Sequence, residues 1–344
     1  MTEKNERSKR HFNETVDYEQ TVRALIAFTA LVVHDGQGRR PGSEFGFGRR
    51  MSSVPAEPDV TPDLVAQRSA TYGVVAEAKK SLGMDQTHWI KCIEQAAKYR
   101  QPLTGWFTPS ASIDSHDSVV LIHQSRSRAL AQYVDRLVAE KKIVEPDIAL
   151  VEFNQTEETA SYYFFRLERG AISDVELNKS LELGKQVPLA GVLKSFPNVR
   201  YYDAPAPVPL LLSHLWTDFF PILAAEAEWD EKSRSRRVRV SVAKVTEELQ
   251  LAYGSTALHQ DDRSVRFPKP TWVREALERL VKFKLAKRVD EANNDEYDVY
   301  HRNLKKDVRE YFCQLEAGLK MPDAEQQETQ PFLEGLPTAD ELAN

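Results

Sequence analysis

Apolar and polar positions alternate along the chain in two different periods. In VDYEQTVRALIAFTALVV (16–33) the apolar positions 22, 25, 26 and 33 fall at helical spacing, with Thr29 on the same side. HDGQGRRPG then interrupts the pattern with glycines and a proline. GSEFGFGRRM reads as a short strand, PDLVAQ as a strand, RSAT as a turn and YGVVAEAKKS as a second motif strand. MDQTHWIKCIEQAAKYR predicts an amphipathic helix with Trp89, Ile90, Ile93 and Ala97 on one side. SVVLIHQ (118–124) is apolar throughout, as expected of a strand buried on both faces. SRSRALAQYVDRLVAEKK returns to helix, and IALVEFNQ and SYYFFRLERG are further strands. The predicted order is helix, three-stranded meander, helix, then a parallel fourth strand reached by a crossover.

The pattern weakens from 171 to about 230, where VPLLLSHLWTDFFPILAAEAE predicts buried helix; Trp216, Phe219 and Phe220 read there as core. Beyond it, VRVSVAKVTEELQLAYG and PTWVREALERLVKFKLA predict helices, and AKRVDEANNDEYDVYH a hairpin turning at Asn293-Asn294-Asp295. The expected organisation is a disordered arm (1–15), an α/β domain (16–170), a connecting helical region (171–230), a mainly α module (231–315) and a disordered acidic tail (316–344).

Charge refines this picture. The 344 residues carry a formal net charge of −6. Residues 231–310 hold 19 Lys+Arg against 14 Asp+Glu, so a basic module sits on an acidic chain, a pointer to nucleic acid. The polar N-terminus and the lack of a long apolar run argue against a secretory signal or a membrane span. Two unpaired-looking cysteines, Cys92 and Cys313, fit a reducing cytoplasm. GQGRRPG does not fit GxGxxG, no GxxxxGK loop or HExxH occurs, and Ser and Cys nucleophile motifs are absent. His123, beside the buried strand, reads as a core histidine.

The chemistry concentrates in TPDLVAQRSATYGVVAEAKKS (61–81). If PDLVAQ and YGVVAEAKKS form a hairpin centred near Ala70, Asp63 lies opposite Glu77 on one face, and Lys79 emerges on that face too. Two opposed carboxylates repel unless a cation sits between them. Mg2+ (or Mn2+) suits such a pair, and an adjacent ammonium can stabilise charge developing at a phosphoryl group. Asp59, in a second Pro-Asp, is the alternative to Asp63. The competing reading makes Glu77 and Lys79 a solvated strand face and Asp63 a turn residue.

Pro62-Asp63, a gap, then Glu77-Ala78-Lys79 resembles the PD-(D/E)xK signature of the restriction-endonuclease-like nuclease superfamily. The resemblance covers roughly residues 16–125. It implies an αβββαβ core, metal ligation by Asp63 and Glu77, and Lys79 as the catalytic lysine. Glu19 is the match to the acid that many members carry on the first helix, and Gln124 is a further candidate for the edge of the site. The QxxxY element of some subfamilies is not evident, so no subfamily assignment follows. Residues 236–302 resemble a winged helix-turn-helix, so the fold class expected is an α/β nuclease core followed by a mainly α winged-helix domain. Its recognition helix (271–284) would carry Arg274, Arg279, Lys282 and Lys284, with Lys287 and Arg288 beginning the wing. Arg234, Arg236, Arg237 and Arg239 would add phosphate contacts, while Asp290, Glu291, Asp295, Glu296 and Asp298 make the wing tip acidic.

Together these resemblances imply a metal-dependent DNA nuclease. Its architecture is similar to endonuclease subunits of mobile elements and to nucleases of bacterial defence. The lack of a motor suggests a partner such as an ATPase, and subunit pairing is the habit of many such nucleases. The alternative is a non-catalytic DNA-binding or assembly protein on a degenerate nuclease fold, and docking to protein is the alternative use of the winged module.

Overall fold

The structure is a computed structural model. It describes residues 3–35, 38–53, 59–79, 86–107, 113–156, 162–188, 206–225, 227–231, 234–253, 267–290, 295–304 and 307–319. The chain is mixed α/β and divides into two compact units. The first comprises Glu19–Asp203 with Tyr253–Phe267; the second comprises Met1–Tyr18, Ala204–Ala252 and Pro268–Asn344.

Helix α1 (Glu3–Val33) belongs to the first unit from Glu19 onward and to the second before it; in the first unit it is followed by β1 (Glu44–Phe47), β2 (Leu64–Gln67) and β3 (Tyr72–Lys79). Helix α2 (Gln86–Lys98) leads to β4 (Ser115–His123), and α3 (Gln124–Ala139) to β5 (Ala149–Thr156). Strand β6 (Tyr162–Arg169), α4 (Val175–Glu182) and β7 (Lys185–Pro188) follow. The seven strands form one sheet in the order β7-β6-β5-β4-β3-β2-β1. The predicted meander is β1-β2-β3, all antiparallel, and β4 then pairs parallel to β3.

The parallel centre explains the apolar run in β4. Val119, Val120, Leu121 and Ile122 are fully buried because both faces are covered. Complete burial of each such side chain stabilises by about 1.5–3 kcal/mol. On one face Val120, Ile122 and Leu150 pack with Trp89, Ile93, Leu130 and Val134 of α2 and α3. On the other, Phe28 of α1 meets Phe165 of β6, ring centroids 5.5 Å apart. Near β2 and β3, the α2 side of the sheet is closed by Val65, Val75, Tyr99 and Trp106. A Cβ on Gly73 would lie 2.4 Å from the Trp106 ring, so only glycine lets the indole seat there.

In the second unit, α5 (Val208–His214) runs through a π-helical turn (Leu215–Phe219) into α6 (Phe220–Ala224). Trp216 and Phe220 are buried, as their apolar pattern predicts. Then come β8 (Trp229–Asp230), β9 (Ser235–Ser241), α7 (Val242–Tyr253), α8 (Pro270–Lys282), β10 (Ala286–Arg288), β11 (Glu296–His301) and α9 (Val308–Leu319). Their strands form a four-stranded sheet in the order β8-β9-β11-β10, antiparallel throughout. The predicted hairpin is β10-β11; of its turn, residues 293 and 294 lie outside the described residues.

Four expectations need correction. Residues 3–15, expected as a disordered arm, are the first turns of α1. The ion pairs Glu3–Arg7 and Arg10–Glu14 at helical spacing support them, and one side is buried: Thr15 Oγ1 lies 4.0 Å from Cys313 Sγ. The connecting region is not purely helical, since Lys185–Pro188 adds β7 to the edge of the large sheet. VRVSVAK begins as strand, because Val238 and Val240 alternate with Arg237 and Arg239 at period two. Of the acidic tail, residues 316–319 end α9, with Ala317 buried, while 320–344 lie outside the described residues. No helix among the described residues is long and apolar enough to cross a membrane.

Candidate active site

The β2–β3 hairpin sets the geometry. Leu64 pairs with Ala76 and Val65 with Val75. Continued by one residue, that register places Asp63 opposite Glu77, on the α2 side of the sheet with Val65 and Val75. Asp63 is 8% exposed and its Oδ2 accepts the Ala78 backbone N–H at 2.8 Å. Glu77 is 2% exposed, so these residues are not a solvated strand face. Asp59, the alternative to Asp63, instead accepts from Ser52 at 2.7 Å and lies 3.9 Å from Arg50 near the surface.

A carboxylate as buried as Glu77 is costly unless it is paired and hydrogen-bonded. Both of its oxygens are engaged. Lys79 Nζ donates to Oε1 at 2.6 Å, and the Tyr99 hydroxyl donates to Oε2 at 2.9 Å. Gln95 Nε2 in turn donates to the Tyr99 hydroxyl at 2.9 Å. The Lys79 side chain is 32% exposed, so its ammonium forms the open edge of the cluster. Burial, reinforced by Glu77, raises the Tyr99 hydroxyl pKa well above its ordinary value, which keeps it a proton donor.

The buried Cys92 thiol is pushed up to about 12, chiefly by burial; Lys79 opposes the shift, and Glu77 and Asp63 add to it. It therefore stays protonated at neutral pH and is no nucleophile. Iodoacetamide at pH 8 is expected to leave Cys92 unmodified in the folded chain and to alkylate it in urea, as read by peptide mass spectrometry. Rapid labelling of the folded chain would contradict this burial.

Gln95 and Tyr99 were missed by the sequence reading. The chain does carry a Gln-x-x-x-Tyr spacing, Gln95-Ala96-Ala97-Lys98-Tyr99, contrary to the expectation above. Gln95 lies in the last turn of α2 and Tyr99 in the turn directly after it, four residues on, so the two side chains meet. Their signal was this spacing in a helix that directly follows the Glu77 strand.

Glu19 is not brought to the cluster. It lies 4.0 Å from Arg23 and beside Tyr163 of β6, and the Tyr163 hydroxyl contacts the Gln20 carbonyl at 3.3 Å. That segment of α1 packs on the sheet face opposite Glu77. Gln124 opens α3, exposed, two residues beyond Ile122, the partner of Lys79. It is at the same end of the sheet, with no hydrogen bond to the cluster among the described residues. His123, read as core, is half-buried and caps α3 through Nδ1. The row through Lys79 and Ile122 continues to Glu152 and Arg166. Buried Glu152 accepts from Ser127 Oγ and Arg166 Nη2, each at 2.8 Å, an arrangement with no sequence signal.

Half of the eight candidate nucleic-acid contacts on the second unit, Arg236, Arg239, Arg274 and Arg279, have local partners. Arg274 donates to Asp295 at 2.8 Å, and Arg279 lies 3.5 Å from both Glu275 and Glu316. Arg288 pairs with Glu278 at 2.7 Å. Arg236 donates to the Ala227 carbonyl at 2.8 Å, and Arg239 to Asp298 at 2.9 Å. Arg234 and Lys284 occupy left-handed backbone positions, and Arg237, Lys282 and Lys287 are exposed. Of the acids expected at the wing tip, Glu291 lies outside the described residues.

Compared with protein-family models, curated proteins and solved structures, the chain matches none. The described residues contain no group of three His, Cys, Asp or Glu side chains that could hold a metal. The donor set at the hairpin is two carboxylates on adjacent strands. Hard oxygens in that number fit Mg2+, which takes one or two protein carboxylates and fills the rest of its shell with water and substrate oxygens.

Proposed function

We propose that the chain is a metal-dependent deoxyribonuclease whose centre is built from Asp63, Glu77 and Lys79. The observation that carries this reading is the buried carboxylate pair opposed across β2–β3, with one lysine at its open edge. Bound there by Asp63 and Glu77, Mg2+ would polarise a phosphoryl oxygen and lower the pKa of a coordinated water. The chain's own residues do the positioning. The Ala78 N–H fixes Asp63, Tyr99 and Gln95 fix Glu77, and Lys79 presents a positive charge where negative charge develops on the phosphate. The order helix, meander, helix, parallel strand and the Gln95–Tyr99 pair add support to the PD-(D/E)xK resemblance. In the second unit, the order helix, strand, two helices and hairpin supports a winged helix-turn-helix. A cytoplasmic setting, a role in defence or in a mobile element, and an ATPase or second copy as partner belong to the same proposal.

A second reading is a non-catalytic DNA-binding or assembly protein. It is favoured by the Lys79–Glu77 pair, which satisfies the carboxylate without a metal, and by the acids that neutralise Arg274 and Arg279. Supercoiled plasmid separates the two readings. Wild type is expected to nick or linearise it in Mg2+ or Mn2+ but not in EDTA, and Lys79→Ala to leave it intact. Cutting by the variant at the wild-type rate would reject Lys79.

Tyr99→Phe removes one hydroxyl and keeps the packed ring. Removing a partner that orients a metal ligand lowers metal affinity by about 10–100-fold. The Mg2+ concentration for half-maximal cutting is expected to rise accordingly, with the rate at saturation less affected. An unchanged Mg2+ dependence would mean that Tyr99 only packs.

A further inference from the structure

We propose that the groove between α2 and α3 is a docking surface for a partner protein. Its occupant is an amphipathic helix with bulky apolar residues flanked by Lys or Arg. The surface stands on its own geometry and does not rest on the nuclease reading.

The sequence leaves this groove open and apolar. Ile93 of α2 and Val134 and Leu137 of α3 are buried and form its floor. Ile90, Ile143 and Pro146 line it while only half-buried. Ala97, with a single methyl group, leaves space beside them, and the cleft holds about 330 Å3. At its lip stands Val144, 88% exposed. A valine this open adds nothing to the core of the free chain and offers its whole side chain to a partner. The lip is also held in place. Lys141 turns the chain in the left-handed region, φ 54°, and Lys142 N–H donates to the Leu137 carbonyl at 2.9 Å. Ile148 N–H donates to the Pro146 carbonyl, also at 2.9 Å. A groove formed beforehand loses little freedom on binding.

The charges on the rim give the sign of the partner. Glu94, Glu145 and Asp147 line the groove against one cation, Arg100. Arg100 is already taken by Asp147 and by Asp117, and Glu145 faces Arg169. Glu94 is exposed and has no ion-pair partner among the described residues; Lys91 and Lys98, its neighbours on α2, do not line the groove. A second copy docked through the same groove about a two-fold axis would set these acids against their own images. Residues 321–344 of this chain contain acids and no Lys or Arg, so they carry the same sign as the rim. A basic amphipathic helix matches on both counts. Its apolar side chains at helical spacing enter between Ile90 and Val144, and its cations meet Glu94.

The test selects a random-peptide library displayed on phage against the immobilised full chain. The double variant Glu94→Lys/Val144→Ser serves as the counter-target. Both of these side chains are exposed, so the variant should fold as wild type does, which circular dichroism checks. The enriched peptides are expected to combine apolar residues at helical spacing with Lys or Arg. One of them, synthesised with fluorescein, is then titrated by anisotropy. Val144→Ser should weaken binding about tenfold. Glu94→Lys should weaken it and reduce its dependence on salt. Acidic peptides, peptides that bind the double variant as tightly as the wild type, or no enrichment at all would overturn the proposal. So would a wild-type dimer in sedimentation that Val144→Ser dissociates, because the groove would then belong to a second copy.

Discussion

Glu77→Gln is expected to slow cleavage by about 10²–10³-fold, the loss typical of removing one preorganised electrostatic group from a reaction centre. The substitution keeps the volume at a fully packed position and keeps an oxygen for the Tyr99 hydroxyl, now 2.9 Å from Oε2. It removes the charge that pairs with Lys79 at 2.6 Å and that would hold a cation together with Asp63. Single-turnover cutting of a plasmid at saturating Mg2+ reads the rate, and circular dichroism reads the fold. A variant that is folded and cuts like the wild type would show that the carboxylate pair is structural.

Asp117→Ala carries the largest expected stability loss. Asp117 is buried and gathers three elements of the first unit. Its Oδ2 accepts the Tyr72 hydroxyl and the Ser173 N–H, both at 2.6 Å. Its Oδ1 accepts Ser173 Oγ at 2.9 Å and lies 3.3 Å from Arg100 Nη1. Burial and the negative charge of Asp117 raise the Tyr72 pKa well above its ordinary value, so the hydroxyl remains a donor. Alanine leaves the buried Tyr72 hydroxyl without its acceptor, removes one of the Arg100 partners and frees the segment that starts α4, where Asp174 caps through Leu177 N at 2.8 Å. Losing the hydrogen bonds from Tyr72 and Ser173 to a buried charged acceptor, each worth about 1.5–3 kcal/mol, costs about 3–5 kcal/mol once the released groups reach other partners. For a unit of this size that corresponds to a melting temperature lower by roughly 10 °C. Asp117→Asn keeps an acceptor and should lose less. Thermal unfolding of the full chain, with hydrogen exchange at 173–177 as the local readout, checks both; an unchanged melt would contradict the assigned network.

The hairpin was legible because its information is local. Alternation in PDLVAQ and YGVVAEAKKS, with a turn near Ala70, sufficed to set Asp63 against Glu77, and the apolar run at 118–124 announced a strand covered on both faces. Other features depended on contacts far apart in sequence. The first turns of α1 read as a charged arm, and only packing that buries His11 and Thr15 makes them helix. VRVSVAK contains both periods, and its pairing with β11 decided for strand. Glu19 has the residue type wanted on the first helix, yet α1 packs on the wrong sheet face. Gln95 and Tyr99 lie at the C-terminal end of α2, whose apolar face dominates the local pattern and whose polar pair gains its meaning only from Glu77 across from it. The acids beside Arg274 and Arg279, Asp295 and Glu316, come from segments distant in sequence and leave no mark on the α8 pattern.

The most direct measurement of the central claim is Mn2+ binding by calorimetry, which needs no substrate or activating partner. Wild type is expected to take up Mn2+ at the hairpin, with Mg2+ competing. Asp63→Asn and Glu77→Gln should each remove that heat while the chain stays folded. A wild-type chain that binds no Mn2+, or variants that bind it as tightly as the wild type, would contradict a metal centre at Asp63 and Glu77.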